Sequence, residues 1–363
     1  MTGKPRTNFN ESLLGNSEEV PSRDSSELVR GKIYFALIGA GRMGKRWASV
    51  LSKYESVALD VIVDSGSGRA ANLAALIPGC TATKDLQAVL NNKAIDAVII
   101  ATPHKFLSPI STLALKSGKH VLCEKPGAIT SAEIKKNIVL ARKKKLKYMI
   151  GYNHRFHDAF IKARNFYQKG LIGKIIFIRA RYGFGGRMGY DKEWRLNKTL
   201  SGGGQLLDQG VHMIDLALSF IGKVGKVRGF TSDTFWKSGA EDNAFLLLQG
   251  KNKVIASIHV SLTQWKPLHN FEIYGTKGFL SIEGLGRKYD GNEKLVVGKR
   301  TADFTSAVTE QTIVCNSNAD DSLTRQLKEF IAAIKQKRSP VPAPRNAYET
   351  LKIVEEIYRT NKL

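Results

Sequence analysis

The sequence predicts an α/β chain in two parts. An N-terminal doubly wound parallel sheet is followed by a mostly antiparallel, open-faced β-sheet with helices (an α+β unit). Three observations predict it. The chain has 363 residues, enough for two cores. Residues 32–150 alternate short apolar runs with amphipathic segments, the pattern of parallel strands joined by crossover helices. Beyond Gly151 the strands follow one another too closely for crossovers, which points to antiparallel pairing.

The elements read in order. Lys32–Ile38 (KIYFALI) is a buried strand and Arg42–Lys53 a helix. Val57–Asp64 is the second strand and Gly68–Leu76 the second helix. Ala97–Thr102, His120–Lys125 and Lys147–Gly151 are further strands, separated by helices over Phe106–Ser117 and Ser131–Lys144. One helix, Phe156–Lys169, opens the second part. Its strands are Lys174–Tyr182, Lys226–Phe235, Ala244–Gly250, Val254–Leu262, Phe271–Tyr274 and Phe279–Glu283, with a helix over Gln205–Phe220. Helices over Ser322–Lys337 and Asn346–Arg359 close the chain. An antiparallel sheet with one open face needs a cover, and self-association as a dimer or tetramer supplies one. Residues 1–31 are polar and aperiodic and read as a disordered leader without the apolar core of a secretory signal.

Composition narrows the class. No stretch approaches the roughly 18 apolar residues of a membrane span. Cys80, Cys123 and Cys315 have no paired spacing, which argues against a disulfide framework and for a reducing, cytoplasmic setting. No Cys/His cluster has zinc-ligand spacing, so no metal is expected. The net charge of +24 draws anions. No nucleic-acid-binding signature accompanies it, and the densest run, Arg142–Lys147, reads as a solvated helix end whose cations offset the helix dipole.

Three constellations carry chemistry. Gly39-Ala40-Gly41-Arg42-Met43-Gly44 follows a strand and opens a helix. In that context Gly39 makes the tight turn, Gly41 admits a pyrophosphate and Gly44 lets helix and strand approach, the dinucleotide site of a Rossmann fold. Asp64 ends the second strand, where a carboxylate accepts hydrogen bonds from ribose hydroxyls. It also repels a 2′-phosphate by about 4 kcal/mol at ~4 Å and an effective dielectric of about 20. NAD is thus favoured over NADP, with Arg69 able to soften the choice; the alternative is a surface Asp capping the next segment.

Glu124-Lys125-Pro126 follows a strand of the first part. A lysine there can stabilise a developing alkoxide; alternatively it is a surface lysine at a turn. Gly202-Gly203-Gly204 precedes Asp208 and His212, four residues apart. On a helix these two share a face, so a neutral His can accept a hydroxyl proton while the carboxylate orients it. The alternative is a helix cap beside a satisfied His. Three glycines in a row favour backbone that crowds a ligand.

Together and in this order, the motifs resemble the glucose–fructose oxidoreductase / inositol dehydrogenase (Gfo/Idh/MocA) family. The likeness runs from about residue 32 to the C-terminus and includes AlaThrPro at 101–103, EKP at 124–126, GYNHRF at 151–156, GGGQLLDQGVH at 202–212 and GTKG at 275–278. The resemblance implies an NAD(P)-binding Rossmann domain over 32–150 and a substrate and oligomerisation domain over 151–345. It also implies a C-terminal helix, 346–363, folded back on the first. It makes Lys125, Asp208 and His212 the catalytic set, and Gly39, Gly41, Arg42, Met43, Gly44, Asp64, Thr102, Pro103 and Glu124 the cofactor site. Tyr152, Asn153 and Arg155 match pocket-wall positions, and Trp194-Arg195 resembles a pair near the substrate in some members. His104 and Leu107 stand where the family commonly has Asn and His.

The function implied is hydride transfer between a sugar-like CH–OH or C=O group and NAD. Arg179, Arg181, Arg187 and Arg195 lie among glycines and aromatics, so an anionic sugar such as a nucleotide sugar is one candidate; a solvated basic loop is the other reading. Two rival functions keep the fold: a lyase or glycosidase that uses NAD transiently, and a non-catalytic cofactor-binding regulator.

Overall fold

The computed structural model describes residues 31–361 apart from 67, 287, 288, 290, 302–308 and 316–319. The expected leader, residues 1–31, lies outside the described residues except for its last.

The first sheet takes its strands from β1 (Ile33–Ile38), β2 (Val57–Val63), β3 (Thr81–Thr83), β4 (Ala97–Ile100), β5 (His120–Glu124) and β6 (Tyr148–Gly151). All its pairs are parallel, in the order β3-β2-β1-β4-β5-β6. Every residue of β1 is buried, as expected of a central strand covered on both faces. The connections are α1 (Arg42–Leu51), α2 (Arg69–Ala74), α3 (Leu86–Asn91), α4 (His104–Lys116) and α5 (Ser131–Lys143). The chain order reverses between β1 and β4, which opens a crevice beyond their carboxyl ends. β3 and α3 escaped the sequence reading. The strand has only three residues, and the helix, capped by Asp85 accepting from the Ala88 N–H at 2.9 Å, has only six.

The second sheet has eight strands. They are β7 (Ile175–Gly183), β8 (Val224–Ser232), β9 (Asn243–Gly250), β10 (Ile255–Ser261), β11 (Leu268–Gly275), β12 (Gly278–Glu283), β13 (Lys294–Lys299) and β14 (Thr309–Val314), in the order β14-β13-β12-β11-β7-β10-β9-β8. Its pairs are antiparallel except β7 with β10. β13 and β14 were not foreseen, because their Lys, Gly, Thr and Glu residues mask the alternation. The helices α6 (Asp158–Gln168) and α8 (Val211–Ile221), with the short α7 (Lys198–Ser201) between them in the chain, cover one face. The other presents Phe177, Phe230, Phe245, Leu247 and Ile255 to solvent.

Both C-terminal helices return to the first sheet's layers. In α9 (Ser322–Lys335), Leu323, Leu327, Phe330 and Ile331 enter the core built on β1, with the Phe330 and Phe35 rings 6.3 Å apart. α10 (Pro344–Thr360) packs on α5 and α8, and Glu355 accepts from the Ser131 N–H and hydroxyl at 2.6 and 2.7 Å. No helix among the described residues is long and apolar enough to cross a membrane.

Candidate active site at the mouth of the parallel sheet

The glycine turn is shaped by close approach. Gly39 has φ +102°, and a Cβ there would lie 2.6 Å from the Ala101 carbonyl. A Cβ on Gly44 would stand 1.9 Å from the Gly39 carbonyl, so α1 can rest on β1 only through a glycine. Gly41 differs: a Cβ there would meet nothing within 4 Å. Its space is open, and the first turn of α1, with Arg42 and Met43, has no side-chain cap. Free N–H groups facing an open cradle suit a pyrophosphate. Thr102 Oγ1 is buried without a hydrogen-bond partner beyond the end of β4, an orphan of the kind that calls for an unseen group. Pro103 caps α4. These observations fit the nicotinamide dinucleotide expected here.

Asp64 follows β2 and closes the cradle. Its Oδ2 accepts the Ala40 N–H at 2.7 Å, and Oδ1 accepts from Gly66 N–H and Arg69, each at 2.7 Å. Glu124 at the end of β5 is buried, with Oε1 accepting the Trp47 indole N–H at 2.8 Å. Burial raises its carboxyl pKa above the usual value, against the pull of that bond and of Lys125. Trp47 was read only as a residue of α1, and nothing local marks its reach to a carboxylate 77 positions away.

Lys125 follows Glu124, and its peptide bond to Pro126 is cis. Its ammonium contacts Asp208 Oδ1 and also donates to the Asp208 carbonyl at 2.5 Å. Asp208 sits in a π-helical turn, Leu206–Gly210, that precedes α8. A buried carboxylate pins the start of this turn. Glu241 Oε1 accepts the Leu206 N–H at 3.1 Å and the Tyr358 hydroxyl of α10 at 2.6 Å. Such single turns are frequent at functional sites. No hydrogen bond joins Asp208 to His212, and the expected one is replaced by the Lys125–Asp208 pair. The glycine run also differs from expectation. Cβ atoms on Gly202, Gly203 and Gly204 would strike Ile129, Tyr358 and the Glu241 backbone, so these glycines accommodate protein rather than ligand.

Other groups close on Asp208. Arg195 Nε stands 3.3 Å from Oδ2 and His104 Nε2 3.6 Å from Oδ1. The His104 Nδ1–H donates to the Ser201 carbonyl at 2.9 Å, and its ring meets Trp194 edge-on at 4.8 Å. Arg195 lies over the Trp194 ring at 4.5 Å. Burial lowers the His104 pKa, with Asp208 opposing the shift. For Asp208 itself burial pushes upward, but Lys125, His104 and Arg195 outweigh it and hold the carboxyl well below the usual range. His212 is buried, and burial together with Lys125 holds its imidazole well below the ordinary value. A neutral imidazole beside a fixed cation is equipped to accept a proton while the cation stabilises the oxygen left behind.

Two expected wall residues are not drawn into this cluster. Asn153 donates to the Ser322 hydroxyl at 3.1 Å. Arg155 is committed to a buried bidentate pair with Asp215 at 2.6 and 2.7 Å. Leu107 is core. Of the four arginines of the basic loop, Arg195 reaches this cluster and the other three do not. Arg179 pairs with Glu272, Arg187 with Glu193, and Arg181 reaches Asn270 at 3.4 Å. The residue that went unforeseen is His154, whose ring stacks on His212 with centroids 3.8 Å apart. Among the described residues no group of three or more His, Cys, Asp or Glu is placed to hold a metal ion.

The chain matches two family profiles. Residues 33–152 match an oxidoreductase family with an NAD-binding Rossmann fold, and residues 160–281 match the GFO/IDH/MocA C-terminal domain. Among curated proteins it is similar to levoglucosan dehydrogenase of Pseudarthrobacter phenanthrenivorans, at 30% identity over 54% of this chain and 53% of that one. It is also similar to D-glucoside 3-dehydrogenase of Escherichia coli, at 30% over 60% and 61%. These two alignments therefore span less than two thirds of each relative. A 2,7-anhydro-N-acetylneuraminate hydratase of Escherichia coli is 25% identical over 69% and 68%. A solved levoglucosan dehydrogenase in complex with NADH shares the fold, with a TM-score of 0.81, 22% identity and coverage of 91% of this chain and 98% of that one.

Proposed function

The chain belongs to the Gfo/Idh/MocA family of NAD-binding oxidoreductases, and from that premise we propose that it moves hydride between a CH–OH group of an uncharged sugar and NAD. The observation that carries the proposal is the contact of Lys125 with Asp208, which joins the carboxyl end of the parallel sheet to the turn before His212, beside the glycine cradle.

Gly39, Gly41, Arg42, Met43 and Gly44 would hold the pyrophosphate and Asp64 the adenosine ribose, with Thr102, Pro103 and Glu124 along the cofactor's path. When bound, NAD supplies the hydride acceptor or donor. The chain's own residues do the rest. His212 takes the hydroxyl proton, Lys125 stabilises the oxygen, and Asp208 fixes the ammonium against Arg195. Trp194, Arg195 and His104 form the wall nearest this set.

An uncharged substrate is favoured because Arg179 and Arg187 are each paired with an acid, Glu272 and Glu193, and Arg195 lies between Glu193 and Asp208. The names of two relatives, which act on levoglucosan and on glucosides, support the same class. The hydratase among the relatives keeps a second reading in play, in which NAD is reduced and reoxidised within one turnover. We also read the open face bearing Phe177, Phe230 and Phe245 as a homodimer surface, checked by light scattering. The three free cysteines suit a cytoplasmic setting.

The test is a panel of levoglucosan, methyl β-D-glucoside, myo-inositol and a nucleotide sugar with NAD+ and NADP+. Net NADH formed with an uncharged member and lost in Lys125→Met and His212→Ala is expected. Product without net NADH would favour the transient reading, and full activity in both variants would end the proposal.

A further inference from the structure

A proton-accepting histidine usually has its second ring nitrogen held by a hydrogen bond, which fixes the ring's plane and tautomer. His212 lacks this support: its Nδ1 is buried with no partner, and Asp208 is turned to Lys125. Its plane is set instead by an aromatic neighbour. His154, in the short 3₁₀ turn Asn153–Phe156 after β6, lies face to face on it, with centroids 3.8 Å apart and planes 8° from parallel. Tyr152 meets the His212 ring edge-on, with centroids 6.0 Å apart. His154 is itself wedged edge-on by Tyr182 at 5.4 Å, His157 at 5.7 Å and His269 at 5.8 Å. Its own Nδ1 is likewise buried without a partner, so no hydrogen bond at that atom accounts for its place.

We infer that His154 is a positioning residue, whose stacked ring fixes the plane of the His212 imidazole and seals it from water so that it stays in the neutral, proton-accepting form. The inference rests on the reading of His212 as the base. The groups facing the pair are Lys125, Tyr152, His157, Tyr182, Asp208 and His269. Burial is the largest influence on both rings and disfavours their charged forms. Lys125 and the neighbouring imidazoles add to it, and for His212 Asp208 opposes it. Two imidazoles stacked this closely cannot both carry charge at neutral pH.

The experiment follows the His212 ring by NMR of the full chain labelled with ¹⁵N-histidine, as pH falls from about 8 to about 5, across the ordinary imidazole midpoint near 6.5. In the unsubstituted chain His212 is expected to remain neutral and to keep its ring NOEs to Tyr152. His154→Phe retains the stacked face without the nitrogens and is expected to leave both readouts in place. His154→Ala admits water and is expected to bring the His212 midpoint up toward 6.5 and to abolish the NOEs. His154→Leu, which refills the volume without a flat face, is expected to abolish the NOEs and covers the case in which the Ala variant does not fold. NADH binding reports that each variant is folded. His212 behaving in Ala or Leu as in the unsubstituted chain overturns the inference. So does failure of Phe in the manner of Ala, which would assign the role to the nitrogens, as in a proton relay. No readout here is turnover, so loss or retention of NADH formation in His212→Ala judges the base assignment separately.

Discussion

Changing Asp208 to Asn removes a buried carboxylate that faces Lys125, Arg195 and His104 together. Two unit charges at the Arg195 distance of 3.3 Å attract by about 5 kcal/mol at an effective dielectric of about 20. The amide recovers part of this, because it no longer bears the cost of burying a charge. Loss of one partner from a buried pair nevertheless costs about 3–5 kcal/mol, and that is the expected drop in unfolding free energy at pH 7. The pH dependence has a defined sign. The native carboxyl is held well below its usual range, so its contribution is complete above the unfolded value near 3.9 and disappears as pH falls through the lower native value. Urea unfolding of both proteins, followed by tryptophan fluorescence, should therefore show a gap that is flat from about pH 8 to 5 and closes only in stronger acid. A gap below about 1 kcal/mol, or one already closed at pH 5, would refute the view that this carboxylate is the shared counter-ion of the site.

Three further outcomes follow from the geometry. Gly41→Val is expected to leave thermal stability unchanged but to weaken NADH binding severely, whereas Gly44→Ala, with its Cβ 1.9 Å from the Gly39 carbonyl, is expected to lower both; equal behaviour of the two in calorimetry and fluorescence titration would contradict the cradle. Asp64→Ala removes an acceptor of charge-assisted hydrogen bonds of about 1.5–3 kcal/mol, so NAD+ affinity is expected to fall roughly 10- to 100-fold while NADP+ loses less; an unaltered NAD+/NADP+ ratio would remove Asp64 from the ribose. Phe330→Ala empties a fully buried site against Phe35 and is expected to cost about 3–5 kcal/mol in urea unfolding; a loss under about 1 kcal/mol would mean that α9 does not hold the first core together.

Much of this fold is legible because its signals are local. KIYFALI and VALDVIVD are continuous apolar runs, as strands covered on both faces must be, and the glycine turn between β1 and α1 carries its own reason in residues 39–44. Residue type singled out Lys125, Asp208 and His212, and the structure pairs the first two at the turn that precedes the third. The site was not legible where partners come from afar. Arg179 meets Glu272 93 residues later, and Arg155 meets Asp215 60 residues later, so charges that look free in the sequence are matched in space. The run LLDQGVHMIDLALSF reads as one regular helix, and its π-turn depends on Glu241 and Tyr358, which no period in that run can reveal. The glycines at 202–204 were noticed for a sound reason, close approach, but what approaches is Ile129, Tyr358 and the Glu241 backbone. His154 was given no role of its own, since a stack forms only when α8 and the turn after β6 are brought side by side.

The most direct test is a crystal structure of the chain with NADH bound. The pyrophosphate is expected on the N-terminal turn of α1 over Gly41, and the nicotinamide ring facing the Lys125 ammonium and the His212 imidazole across one cleft. A nicotinamide turned away from those two groups, or a dinucleotide seated elsewhere, would contradict that expectation.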